Sequence, residues 1–188
     1  MKPIYKILVT IEKRFQDEVV TESGLKLYKD SSFKPEENST TVGVVAAIPL
    51  KHDVHNFPPD FKFNVRNGDK LYFNFNITID PANALEHDGV EYWMVDYFDA
   101  IALVRDGEIH PVGSYLLIEP IEEEIKTDLI IPETVNREGN RGKVVASNDP
   151  EIPVGSEVEY EEIGKFWNII EGRRLYCMMN HNALFVYE

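Results

Sequence analysis

Short alternating runs of apolar and polar residues, none long enough to make a helix, set the pattern of this chain. Ile7-Leu8-Val9-Thr10-Ile11, Val42-Gly43-Val44-Val45-Ala46, Lys70-Leu71-Tyr72-Phe73-Asn74-Phe75 and Glu91-Tyr92-Trp93-Met94-Val95 are rich in β-branched and aromatic residues. Clusters of Gly, Pro, Asn and Asp separate them, as expected of strands joined by turns. Val19-Val20 and Asn76-Ile77-Thr78-Ile79 are candidate additions to the strand set. No apolar stripe at i, i+3, i+4, i+7 persists for 12 residues, so helix is confined to single turns near residues 97–100 and 180–183. The pattern predicts an all-β protein.

The pattern then restarts. Tyr115-Leu116-Leu117-Ile118-Glu119 reads like Lys6-Ile7-Leu8-Val9-Thr10, and Arg141-Gly142-Lys143-Val144-Val145-Ala146 answers Val42-Gly43-Val44-Val45-Ala46. Val154-Gly155-Ser156-Glu157-Val158-Glu159-Tyr160 answers Asn67-Gly68-Asp69-Lys70-Leu71-Tyr72-Phe73. Gly172-Arg173-Arg174-Leu175-Tyr176-Cys177-Met178 answers Gly89-Val90-Glu91-Tyr92-Trp93-Met94-Val95. The closing runs Ala100-Ile101-Ala102-Leu103-Val104 and Ala183-Leu184-Phe185-Val186-Tyr187 follow at the same distance. Matched blocks in one order argue for an internal duplication. The copies are expected at residues 1–106 and 113–188, joined by the turn-rich connector Asp106-Gly107-Glu108-Ile109-His110-Pro111-Val112-Gly113. Gly43 and Gly68 lie 25 positions apart but Gly142 and Gly155 only 13. The first copy therefore carries an insertion around residues 49–61, and insertions collect in loops.

Composition narrows the function classes. With 188 residues there is room for two small domains, and 43% hydrophobic residues suffice for packed interiors. The net charge of −14 repels phosphate backbones and no basic patch is visible, so nucleic acid is not an expected partner. A single cysteine, Cys177, excludes an internal disulfide and a cysteine-rich zinc site. No run approaches 18 apolar residues and the N-terminus lacks a signal-peptide core. The expected setting is the cytoplasm, away from membranes.

No enzyme motif is present: neither G-x-S-x-G, nor a Walker-type phosphate loop, nor G-x-G-x-x-G, nor H-E-x-x-H. His52, Asp53 and His55 have the spacing to share a metal but sit in a Pro-rich stretch that reads as a solvated loop. Cys177 has no local base and reads as a small buried apolar residue. Glu122-Glu123-Glu124 reads as a solvated charge run. No catalytic residue, cofactor or metal is expected.

Two long polar loops each hold an isolated apolar cluster. The first, about residues 17–41, contains Ser23-Gly24-Leu25-Lys26-Leu27-Tyr28; the second, about residues 122–141, contains Leu129-Ile130-Ile131-Pro132-Glu133. The flanking polar residues, Gly and Pro make an extra strand pair improbable there. Loops of this length in compact domains are usually functional, and three consecutive apolar residues can be offered to a partner's groove as an extended hook.

The order of opening strand, polar loop with a hook, Gly-Val-Val strand, Gly-Asp turn into an aromatic strand, and closing apolar strands resembles the GroES-type co-chaperonins, in two tandem copies. Leu129-Ile130-Ile131-Pro132-Glu133, Arg141-Gly142-Lys143-Val144-Val145 and Val154-Gly155-Ser156-Glu157-Val158 make the C-terminal copy the better match. The resemblance implies two partly open β-barrels. It implies hooks at Leu25, Lys26 and Leu27 and at Leu129, Ile130 and Ile131 that dock on a GroEL-type chaperonin ring, and a roof hairpin around residues 49–61, mostly lost from the second copy. The implied function is to cap that ring, as a homo-oligomeric ring, during ATP-dependent folding. The competing expectation is a GroES-like structural or assembly module, for example virus-associated, that binds no chaperonin.

Overall fold

A computed structural model describes residues 1–15, 18–21, 23–28, 38–51, 64–122 and 138–187. The chain forms two compact units, Met1–Val112 and Gly113–Glu188. Both are antiparallel β structures, with little helix among the described residues.

The first unit contains β1 (Ile7–Thr10), β2 (Glu18–Val20), β3 (Lys26–Tyr28), β4 (Val42–Ala47), β5 (Lys70–Phe73), β6 (Ala84–His87), β7 (Val90–Val95), β8 (Ala100–Arg105) and β9 (Glu108–Pro111). Seven of these make one sheet in the order β6-β7-β1-β4-β5-β8-β9, and β2 and β3 form a separate pair. The second unit contains β10 (Tyr115–Glu122), β11 (Glu138–Ala146), β12 (Glu157–Tyr160), β13 (Phe166–Ile170), β14 (Arg173–Met179) and β15 (Ala183–Tyr187). Its six-stranded sheet runs β13-β14-β10-β11-β12-β15.

Six strands of the first sheet recur in the second, in the same order and with matching register. Leu8 faces Ala47 and Val9 faces Val45 across a register shift; Leu117 faces Ala146 and Ile118 faces Val144 across the same shift. Leu8 pairs with Met94 as Leu117 pairs with Cys177. Gly43 pairs with Leu71 as Gly142 pairs with Val158. Tyr72–Ala102 and Phe73–Ala100, with a shift between them, are matched by Glu159–Phe185 and Tyr160–Ala183. A slip of one residue would turn every apolar side chain to the wrong face, so shared register means shared core positions. Ile7, Val9, Val45, Leu71, Phe73, Trp93 and Val95 pack in the first core. Leu116, Ile118, Val144, Val158, Tyr160, Tyr176 and Met178 hold the same places in the second.

Three local readings are corrected. Asn76–Ile79 is a helical turn, not a strand extension: the Asn74 side chain accepts from the Asn76 N–H, and Thr78 Oγ1 donates to the carbonyls of Phe75 and Thr40. These local hydrogen bonds outweigh β-branching. The segment 106–113 is not a bare connector. Asp106 and Gly107, at φ 53° and 82°, form the tight turn of a hairpin whose second strand, β9, closes the first sheet. Lastly, the first long loop does contain a strand pair, β2 with β3. The short turns expected before the closing strands are present at Tyr97–Asp99 and Asn180–Asn182. Most of the insertion, residues 52–61, lies outside the described residues; Leu50 and Lys51 donate backbone hydrogen bonds to the carbonyls of Pro3 and Ile4.

Candidate partner-binding site

The loop between β1 and β4 is pinned at its base. Phe15 and Ser39 form a β-bridge, the Thr40 N–H donates to the Arg14 carbonyl at 3.0 Å, and the Thr40 hydroxyl donates to the Lys13 carbonyl. Arg14 anchors this junction to the unit: its Nε donates to the Thr78 carbonyl at 2.7 Å and its Nη2 to the Ile79 carbonyl at 2.6 Å. Those carbonyls end the helical turn Asn76–Ile79, where a cation also meets the negative end of the peptide dipoles. The guanidinium lies over the rings of Phe15 and Trp93, 4.8 and 5.4 Å from their centroids. Asn38, Ser39 and Thr40 are buried here.

Beyond the base, Leu27 and Tyr28 stand on β3 and Leu25 just before it. The turn between β2 and β3 is closed by the Thr21 N–H to the Leu25 carbonyl (2.9 Å) and by the Leu25 N–H to the Thr21 hydroxyl (3.1 Å). Gly24 sits at φ 81°, which an L side chain rarely adopts. Leu25 is 59% exposed, Leu27 48% and Tyr28 74%. Successive residues of a strand point to opposite sides. Within β3, Leu27 therefore points away from the side that Lys26 takes, so the lysine need not interrupt an apolar contact made by Leu27. Tyr28, outside the expected triplet, is more exposed than Leu25 or Leu27. Its aromatic character was the available signal.

The corresponding loop of the second unit leaves from β10 and returns in β11, closed by the pairing of Glu122 with Glu138. Leu129, Ile130 and Ile131 lie outside the described residues, as do His52, Asp53, His55, Glu123 and Glu124. Among the described residues no group of three His, Cys, Asp or Glu side chains is placed to hold a metal, and no helix is long and apolar enough to cross a membrane. Cys177 is fully buried, and burial pushes its thiol up to about 12, so it stays protonated and unreactive at neutral pH.

The strongest polar cluster is structural. Arg105 donates to both carboxylate oxygens of Asp69, at 2.9 and 2.6 Å, and to the Asn64 carbonyl at 2.9 Å. Tyr97 donates to Asn64 Oδ1 at 2.8 Å. This ties the turn before β5 to the end of β8.

The chain matches no family model, and no curated protein is significantly similar to it.

Proposed function

We propose that this chain is a co-chaperonin: two tandem GroES-like, partly open β-barrels that cap a GroEL-type chaperonin ring and assist ATP-dependent folding without catalysing a reaction themselves. The observation that carries this reading is the exposure of Leu27 on β3 and of Leu25 just before it, in a loop whose base is pinned and whose two described strands pair with each other. The repeated strand order and register support a second, equivalent loop bearing Leu129, Ile130 and Ile131.

The energetics explain why such a protein would work as an array. Burying one Leu or Ile gains roughly 1.5–3 kcal/mol, and ordering a loop residue costs about 1–2 kcal/mol. A two-stranded hairpin is only marginally stable in water, so a single hook binds weakly. Several hooks on one homo-oligomeric ring raise each other's effective concentration and turn weak contacts into a reversible lid. The lysine at position 26 lowers the apolar area of the first hook without facing the groove. The reading places the protein in the cytoplasm, where a chaperonin and ATP are at hand.

The experiment is to mix the full chain with a chaperonin and nucleotide, then look for a comigrating complex and a changed ATPase rate. A complex that depends on nucleotide supports the proposal. No complex and no change in rate would leave the structural-module reading in its place.

A further inference from the structure

One aromatic position carries a cation in both sheets, but the cation comes from different parts of the chain. Trp93 on β7 and Tyr176 on β14 are counterparts, since Val9 faces Trp93 as Ile118 faces Tyr176. Over Tyr176 stands Lys165, its Nζ 4.7 Å from the ring centroid and 5.1 Å from that of Tyr160. Lys165 follows Tyr160 by five residues, as Thr78 follows Phe73, so it belongs to the stretch before β13 and to neither long loop. Over Trp93 stands Arg14, at the foot of the first loop. Glu123, which the repeat matches to Arg14, is acidic and lies outside the described residues.

We infer that Arg14 is a positioning residue for the first hook: it clamps both stems of the loop onto the first unit before a partner arrives, so that Leu25 and Leu27 are offered with less ordering left to do. The outgoing stem is tied to the helical turn Asn76–Ile79 by the two guanidinium bonds to the Thr78 and Ile79 carbonyls. The returning stem is tied to the same turn, because the fully buried Thr78 donates its hydroxyl to the Thr40 carbonyl at 2.8 Å. Thr40 in turn donates its N–H to the Arg14 carbonyl and its hydroxyl to that of Lys13. The rings of Phe15 and Trp93 flank the guanidinium and hold its plane.

The chemistry explains why the first hook carries such a clamp. Leu25-Lys26-Leu27 has one apolar residue fewer than Leu129-Ile130-Ile131, so it gains less from burial in a groove. Ordering the loop in advance removes part of the entropy lost on docking, and a weaker hook then binds usefully. Arginine suits the task because its planar fork meets two carbonyls at once while lying flat on an aromatic ring; a lysine ammonium is a point charge without that fork. What the hook docks on rests on the co-chaperonin reading above; the clamp itself does not.

The test measures association of the full chain with a chaperonin ring and nucleotide, for Arg14→Ala in two backgrounds. With the second hook disabled by Ile130→Asp, Arg14→Ala should weaken association at least about tenfold, or about 1.4 kcal/mol. With the first hook disabled by Leu25→Asp and Leu27→Asp, the same change should have no effect, whereas a general loss of structure would lower both. Amide exchange on the free chain is the second readout. The Thr40 and Leu25 N–H groups should exchange at least about tenfold faster in Arg14→Ala, while Val45 and Leu71 keep their wild-type protection. Should Arg14→Ala fail to fold, Arg14→Lys keeps the charge but not the fork and carries the same comparison. An equal loss in both backgrounds, or unchanged exchange at Thr40 and Leu25, would overturn the inference. A wild type that binds no chaperonin, with loop amides that still depend on Arg14, would overturn the co-chaperonin reading and leave the clamp standing.

Discussion

Gly43 and Gly142 are held to glycine by the same contact in the two sheets: a β-carbon on either would stand 2.7 Å from a backbone oxygen, that of Thr10 or of Glu119. Neither is held by its own backbone angle. The opening strand of each unit crosses so close to the next that no side chain fits between.

Alanine at either position should therefore destabilise its own unit by about 1–3 kcal/mol, the usual cost of overpacking. Gly142→Ala should be the worse of the two, because its new methyl would crowd Ile118 Cγ2 more closely than one at position 43 crowds Ile11 Cγ2 at 3.0 Å. Thermal unfolding of the two single variants checks both the magnitude and the ranking. Equal or negligible effects would show that the strands can move apart freely.

Asp69 gives the first unit an acid-sensitive joint. Burial alone would raise its carboxyl, but hydrogen bonds from the Arg105 side chain and the Arg66 N–H, with the charges of both arginines, hold it below the usual carboxylate range. The stability this contributes is complete above the unfolded value near 3.9 and is lost as pH falls through the lower folded value. Asp69→Asn should cost about 1–3 kcal/mol at neutral pH and flatten the acid limb of the stability curve. Unfolding by denaturant from pH 3 to 7 measures both.

Asp99 acts in the opposite sense. Burial first, then the neighbouring Asp96 charge, raise its carboxyl, with Lys6 opposing. Its folded form prefers the proton, so the stability tied to that proton is lost as pH rises through the folded value. Asp99→Asn should stabilise the protein at neutral pH and have little effect at low pH. A loss of stability at pH 7 would contradict this.

Cys177 should resist a thiol reagent at pH 8 in the native protein and react at once in denaturant, since its sulfur is buried and its thiol is raised to about 12. Rapid native labelling would mean that the second sheet opens readily between β10 and β14.

Much of this fold is legible in the sequence because it is written twice. Leu8 and Leu117, Trp93 and Tyr176, and Phe73 and Tyr160 can be matched before any coordinates, and each pair occupies one place in the paired sheets. What stays hidden depends on contacts far along the chain. β9 hides because Glu108-Ile109-His110-Pro111 is only four residues long and ends in proline, and is a strand only against β8. Ile77 and Thr78 have the composition of a strand, but Asn74 and Thr40 hold them in a helical turn. The exposure of Leu25 and Leu27 follows from the pinning of Phe15 to Ser39 and of Arg14 to Thr78, which no local pattern announces. Leu129, Ile130 and Ile131 lie outside the described residues and rest on the sequence pattern alone.

The central claim, that the apolar loop residues are what a chaperonin grips, is met most directly by one comparison. The full chain and its Leu25→Asp, Leu27→Asp, Ile130→Asp variant are titrated against a chaperonin ring with nucleotide, and complex formation is measured alongside unfolding. The variant should unfold within about 0.5 kcal/mol of wild type, Leu25 and Leu27 being exposed, yet lose at least about tenfold in association. A variant that binds as tightly as wild type would contradict the claim.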